Sequence, residues 1–188
     1  MDDGVAAAPP AEPGEADGPS SPPAPRRYRL DAPLVAYTIG DPEGRFTVWD
    51  CEGSRVKPGR WNEADGPVIY LAEHFGTAML EKMCHHGDEP PLRQRHVEAA
   101  FPAGLEVEEY RHDDLPRGWD GGGCSAARAL GTAWRRAGRT AVLFVPSQVA
   151  PRYERNLVVN PDHPDFARIA PSEERPVAWD RRLFERSD

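Results

Sequence analysis

The chain has 188 residues, 31 of them acidic and 23 basic, with a formal charge of −8, 21 prolines and 9% aromatics. That acidic balance argues against a broad grip on a nucleic-acid backbone, which needs clustered Lys and Arg. Three widely spaced cysteines form no CxxC pair, as in a reducing compartment, and no run approaches the roughly 18 apolar residues of a membrane span; the expectation is a cytoplasmic protein that touches neither nucleic acid nor membrane.

Residues 1 to 26 read as a disordered tail. The first 25 carry seven prolines and five acids but no base and no aromatic, too little apolar surface to offset the entropy of ordering them. Residues 27 to 188 then form a single domain. Within it, Pro67 to Ala72 is a short apolar run behind the turn pair Asp65-Gly66 and predicts a buried strand. Glu73 to His85 predicts a helix with Phe75, Ala78, Met79 and Met83 at helical spacing, stopped by Gly87. Residues 94 to 101 and 105 to 110 alternate apolar with polar around Pro102-Ala103-Gly104, the pattern of a hairpin with one wet face.

The clearest helix is Ser125 to Ala137. Ala126, Ala129, Leu130, Ala133, Trp134 and Ala137 fall on one side, with Ser125 as cap at the start and Gly138 at the end. Strands follow at Ala141 to Val145 and Asn156 to Asn160, the second stopped by Pro161. Short edge strands are expected near Phe166 to Ile169 and Val177 to Trp179. The elements sum to an α+β domain with more sheet than helix.

Three places carry candidate chemistry. In Pro58-Gly59-Arg60-Trp61-Asn62, glycine permits close backbone approach, Arg60 offers a planar fork for phosphate, and Trp61 can stack on a ring. The commoner outcome for five such residues is a surface turn with an exposed arginine and a core tryptophan. Glu81 lies off the apolar stripe of its helix, beside the small or polar Thr77, Cys84 and His85, where a carboxylate can face a cleft or simply water. Ser147 ends a buried strand, a frequent place for ligand-binding groups, yet it has no GxSxG context and is not an acyl-transfer nucleophile. Cys84-His85-His86, His112-Asp113-Asp114 and Asp162-His163 offer metal-ligand types but no recognised metal-ligand spacing. Gly121-Gly122-Gly123 lacks a Walker lysine and reads as a turn.

Taken in order, Gly59-Arg60-Trp61-Asn62, Pro67 to Glu73, Thr77 to Glu81 and Leu130 to Trp134 resemble the RES domain family. The most specific stretch is PSQVAPRYERNLVVNPDHPDF at 146 to 166, which is similar to that family's run of Ser, Pro, Glu, Asn, Asn-Pro, His-Pro and Phe. The family is named for an Arg, a Glu and a Ser, matched here by Arg60, Glu81 and Ser147. The resemblance extends from about Tyr28 to Phe184.

The resemblance implies a bacterial toxin of a toxin–antitoxin pair that consumes NAD. The implied fold is similar to ADP-ribosyltransferases, with mostly antiparallel sheets flanked by helices. Arg60 would pair with the pyrophosphate or an incoming phosphate, and Glu81 would stabilise the oxocarbenium-like transition state formed when the nicotinamide–ribose bond breaks. Tyr70 would pack against nicotinamide or ribose, Ser147 would hydrogen-bond the same end, and Trp61, Asn62, Asn156 and Asn160 would support the dinucleotide. NAD is then substrate rather than cofactor, with inorganic phosphate or water as acceptor and no metal. The implied partner is an Xre-like antitoxin, with a homo-oligomer as a further expectation. Transfer of ADP-ribose onto a protein, or a non-catalytic interaction module, are the alternatives.

Overall fold

The computed structural model describes residues 24–41, 46–86 and 93–184. Residues 1–23 of the expected disordered tail and the helix stop at Gly87 lie outside the described residues, whereas Arg26, expected in that tail, begins the first strand because it pairs with Glu109. Among the described residues nine strands form one sheet: β1 (Arg26–Arg29), β2 (Leu34–Gly40), β3 (Ile69–Ala72), β4 (Arg95–Phe101), β5 (Glu106–Glu109), β6 (Val142–Pro146), β7 (Arg155–Val159), β8 (Ala170–Pro171) and β9 (Arg175–Pro176). The α-helices of the described residues are α1 (Glu52–Val56), α2 (Phe75–His86) and α3 (Ser125–Ala137). The domain is therefore α+β, as the sequence indicates. No helix among the described residues is long and apolar enough to cross a membrane.

The strand order is β1-β5-β6-β7-β3-β2-β4-β8, with β9 also on β4. Every pairing is antiparallel except β5 with β6. The central strands β6 and β7 are apolar on both faces because both faces are covered. Val142, Phe144, Leu157 and Val159 join one buried cluster, while Leu143, Val145 and Val158 join another under α3.

The expected hairpin of β4 with β5 does not form. β4 pairs with β2 over seven positions, from Leu34 opposite Phe101 to Gly40 opposite Arg95. β5 lies between β1 and β6. The chain nevertheless passes from Phe101 to Glu106 in five residues, a reach of about 17 Å, whereas five strand spacings along a flat sheet measure about 24 Å. The sheet must therefore curl until its two ends meet. The first buried cluster, with Ala36, Ile69, Ala99, Phe101, Leu105 and Val107 among its members, fills the inside of that curl.

Helix α3 covers the outer face, rotated from the expected stripe. Ala127, Leu130, Gly131 and Trp134 are buried, whereas Ala129, Ala133 and Ala137 are exposed. The reason is contact distance: a Cβ on Gly131 would sit 1.9 Å from the Trp61 carbonyl oxygen, so the glycine lets the helix touch that main chain. Ser125 does not cap α3. Cys124 occupies the N-cap in the left-handed region at φ 54°, without a side-chain cap bond, while Gly138 closes the helix at φ 56° as expected. The expected edge strand at 166 to 169 is instead part of a 3-10 turn over Pro164–Arg168, and the short strands lie at β8 and β9.

Candidate active site

The outer face of the sheet is read off the alternation of β3, β6 and β7. Tyr70 and Val68 pack with Leu143, Val145 and Val158, so Ser147 and Asn156, two residues beyond Val145 and before Val158, emerge on the same face. Ala72 lies opposite Asn156, and α2, beginning three residues later, lays Glu81 over these strand ends.

Glu81 is held by three donors on one oxygen. Its Oε1 accepts from Ser147 Oγ at 2.7 Å, Asn156 Nδ2 at 2.9 Å and the Gln148 main-chain N–H at 3.2 Å. Among the described residues Oε2 has no hydrogen-bond partner. The carboxylate is thus fixed in orientation with one oxygen available, a geometry suited to meeting developing positive charge or ribose hydroxyls. Asn156 adds a second unfilled position: its Oδ1 is buried and, among the described residues, has no hydrogen-bond partner.

Ser147 is fully buried and its hydroxyl is spent on Glu81. In this structure its hydroxyl is therefore turned to Glu81 and not to open space, where the sequence led one to expect a direct ligand contact. Its own N–H donates to the Glu154 carbonyl at 2.9 Å, prolonging the β6–β7 ladder by one bond.

Arg60 is oriented by main chain. Its Nη1 donates to the Trp119 carbonyl at 2.8 Å and the Gly121 carbonyl at 3.0 Å. Among the described residues no carboxylate pairs with it, so the Nε and Nη2 edge of the guanidinium remains open, the edge that forks onto phosphate. The Gly121 turn was legible in the sequence only as a turn; carbonyls carry no side-chain signature.

The other residues of the 58 to 62 segment build the platform. Trp61 is 4% exposed and packs on Trp119 with ring centroids 6.0 Å apart, so it is core and not a stacking surface. Asn62 is buried: its Oδ1 accepts from the Gly59 N–H at 2.8 Å and the Tyr70 hydroxyl at 2.9 Å, and its Nδ2 donates to the Ser54 and Glu63 carbonyls. Every polar atom of that amide is used within the turn, leaving none for a dinucleotide. The Tyr70 hydroxyl also accepts from the Trp61 N–H at 3.0 Å. Burial pushes this phenol above the ordinary tyrosine range, so it serves as a donor rather than a base. Gly59 is required here, since a Cβ would lie 2.6 Å from the Tyr70 oxygen.

Asn160 stands apart. It is four residues beyond Asn156 on the same strand direction, about 13 Å away at the far end, and its Oδ1 accepts from the Asp162 N–H at 3.1 Å. The structure thus brings together Glu81, Ser147 and Asn156, sets Arg60 and Tyr70 on the same face, and assigns Trp61, Asn62 and Asn160 to the scaffold. Histidines offered as ligand types have ordinary partners: His112 contacts Asp113 at 2.8 Å, and His163 Nδ1 accepts from the Asp165 N–H.

Residues 28–180 match the family model of the RES domain. The chain is 32% identical over 139 residues to the "Prs ADP-ribosylating toxin" of Sphingobium sp. (strain YBL2), covering 72% of this chain and 86% of that protein. It is 30% identical over 152 residues to a "Toxin Res" of Yersinia enterocolitica, covering 80% and 99%. Among solved structures, the crystal structure of the M. tuberculosis MbcT-MbcA toxin-antitoxin complex contains a chain that superposes with a TM-score of 0.64 at 17% identity, over 79% of this chain and 86% of that one. At that identity the superposition speaks for the fold.

Proposed function

The chain belongs to the RES domain family, and from that premise we propose that it is the toxin of a bacterial toxin–antitoxin pair that consumes NAD by breaking the nicotinamide–ribose bond. The observation that carries this reading is Glu81, with one oxygen pinned by three donors and the other open. In the reaction the C1′–N bond breaks and its electron pair leaves with nicotinamide, which becomes neutral. The positive charge left on the ribose faces the Glu81 carboxylate. An oxygen of water or inorganic phosphate then bonds to C1′ and gives up its proton. Arg60 would hold the pyrophosphate on its free edge, and Asn156 Oδ1 would accept from a hydroxyl or amide of the substrate. NAD is substrate, so no resident cofactor is invoked. The partner of this reading is an Xre-like antitoxin in the cytoplasm.

The test is NAD loss over time with the purified full chain, with and without inorganic phosphate, beside Glu81→Gln. Loss that needs phosphate identifies a phosphorylase, and loss in both buffers a glycohydrolase. Glu81→Gln keeps the shape of the side chain and removes its charge, so turnover should fall by about 10²-fold or more. Turnover at the wild-type rate would overturn the role given to Glu81.

A second reading, transfer of ADP-ribose onto a protein, is favoured by the printed name of the Sphingobium relative. A labelled protein band formed from labelled NAD in lysate, without NAD loss in the purified system, selects it.

A further inference from the structure

Thr77 and Glu154 belong to none of the roles above, yet they repeat the contact that holds Glu81. Thr77 Oγ1 donates to Glu154 Oε2 at 2.8 Å, and His74 Nδ1 lies 2.7 Å from the same oxygen. Thr77 is 5% exposed. It precedes Glu81 by four residues, so both side chains occupy one face of α2. Glu154 precedes Asn156 by two, so both occupy one face of the strand.

The two spacings match. Four helical residues advance about 6.0 Å, and two strand residues advance about 6.6 Å. Thr77 on Glu154 and Glu81 on Asn156 are therefore two rungs of one ladder between α2 and the β7 segment. Phe75 already packs α2 on Tyr37 and His96, and the second polar rung adds a directional contact that fixes the rotation and axial position of the helix at the Glu81 end. The first turn of α2 contains no acidic residue of its own, so Glu154 also brings a carboxylate to the positive end of the helix from outside. Its main-chain carbonyl at the same time accepts from Ser147 N–H, tying the Ser147 donor to the same anchor.

We propose that Thr77 and Glu154 are positioning residues, which set the register of α2 on β7 so that the Glu81 carboxylate meets Ser147, Gln148 and Asn156. The proposal rests on the catalytic reading of Glu81 for its consequence in turnover, but its structural content is measurable without NAD. Gln148 is exposed, and its N–H donates to Glu81 Oε1, so amide exchange at Gln148 reports directly on where Glu81 sits.

The experiment compares the full chain with Thr77→Val, which keeps the shape and removes the donor, and Thr77→Ser, which restores it. Hydrogen-exchange protection of the Gln148 amide should fall about tenfold in Thr77→Val and return in Thr77→Ser. With NAD as substrate, kcat should follow the same pattern while KM stays within about twofold, because Arg60 is untouched. Unchanged Gln148 protection in Thr77→Val overturns the proposal. So does a lowered kcat that serine does not rescue, or an unchanged kcat in a wild type that turns NAD over. If the wild type consumes no NAD, the NAD-cleavage reading fails, and the exchange data still decide the register claim.

Discussion

Replacing Gly131 by alanine sets two well-known effects against each other. In a helix interior Gly→Ala ordinarily stabilises by about 1 kcal/mol, because alanine loses less backbone freedom on folding. Here the added methyl would lie 1.9 Å from the Trp61 carbonyl oxygen and 3.0 Å from its Cα. Carbon–oxygen contacts rarely close below about 3.3 Å, so α3 and the Trp61 segment would have to part by roughly 1.4 Å. Both are main chain and neither can rotate aside. A gap of about 1 Å already forfeits a quarter to a half of each dispersion contact, and the affected cluster includes Trp61, Trp119, Leu130 and Trp134. Overpacking costs about 1–3 kcal/mol; a 1.9 Å contact between main-chain atoms belongs at the upper end, about 3 kcal/mol, and subtracting the helix gain of about 1 kcal/mol leaves a net expected loss of about 2 kcal/mol. In a domain of this size that lowers Tm by roughly 4–8 °C. The assay is thermal unfolding beside Gly76→Ala, a helical position where a Cβ would meet nothing within 4 Å and where alanine should be neutral or stabilising. A Gly131→Ala protein that melts at or above the wild-type temperature would refute the reasoning.

Two further outcomes follow from the same geometry. Arg60→Lys keeps the charge and loses the planar fork that the Trp119 and Gly121 carbonyls orient, so KM for NAD should rise about tenfold or more with a smaller change in kcat; equal steady-state constants would deny Arg60 its place at the phosphates. Hydrogen bonds from His74 and Thr77 hold the Glu154 carboxyl below the ordinary glutamate value of 4.5. A depressed acid contributes stability that is complete above that value and lost as pH falls through the folded one; acid unfolding of Glu154→Gln should lack this component, and superimposable acid transitions would contradict it.

The parts of this fold that were legible in the sequence are those whose signal is local. Helix α3, with its closing Gly138, and the strands β6 and β7 announce themselves by periodicity and by bounding residues. β1 does not: Arg26-Arg27-Tyr28-Arg29 carries no apolar alternation that would mark a strand. It becomes a strand because β5 offers it an edge, with Arg27 paired to Glu106 at 2.8 Å. The hairpin of β4 with β5 fails for a related reason. Adjacent alternating segments suggest a partner, but nothing local states that β2 will supply seven paired positions to β4.

Site residues divide the same way. Glu81, Ser147 and Asn156 converge, as a family resemblance over ordered motifs allows one to expect. Trp61 and Asn62 sit beside Arg60 in sequence and were expected to share its task, but a turn sends successive side chains in different directions. Only the Tyr70 and Trp119 contacts, distant in sequence, determine that both face the core.

The tripeptide Glu154-Arg155-Asn156 shows how the core and the site are made one object. Glu154 and Asn156 face α2. Arg155 faces the inside of the curled sheet, where it forks onto Glu73 at 2.6 and 2.7 Å, reaches Glu109 at 3.0 Å and lies over the Phe144 ring. Desolvation opposes the Arg155 charge, yet its carboxylate partners outweigh that and raise its pKa above the ordinary arginine value, so the half-buried guanidinium stays charged between the two acids. Since side chains alternate strictly along a strand, a one-residue slip of β7 would turn the arginine toward α2 and drive Glu154 and Asn156 into Phe144. The partly buried ion cluster thus disfavours the slipped register, and in doing so it favours the side of β7 that presents Asn156 to Glu81. Core electrostatics on one face of a single strand specify the geometry of the candidate site on the other.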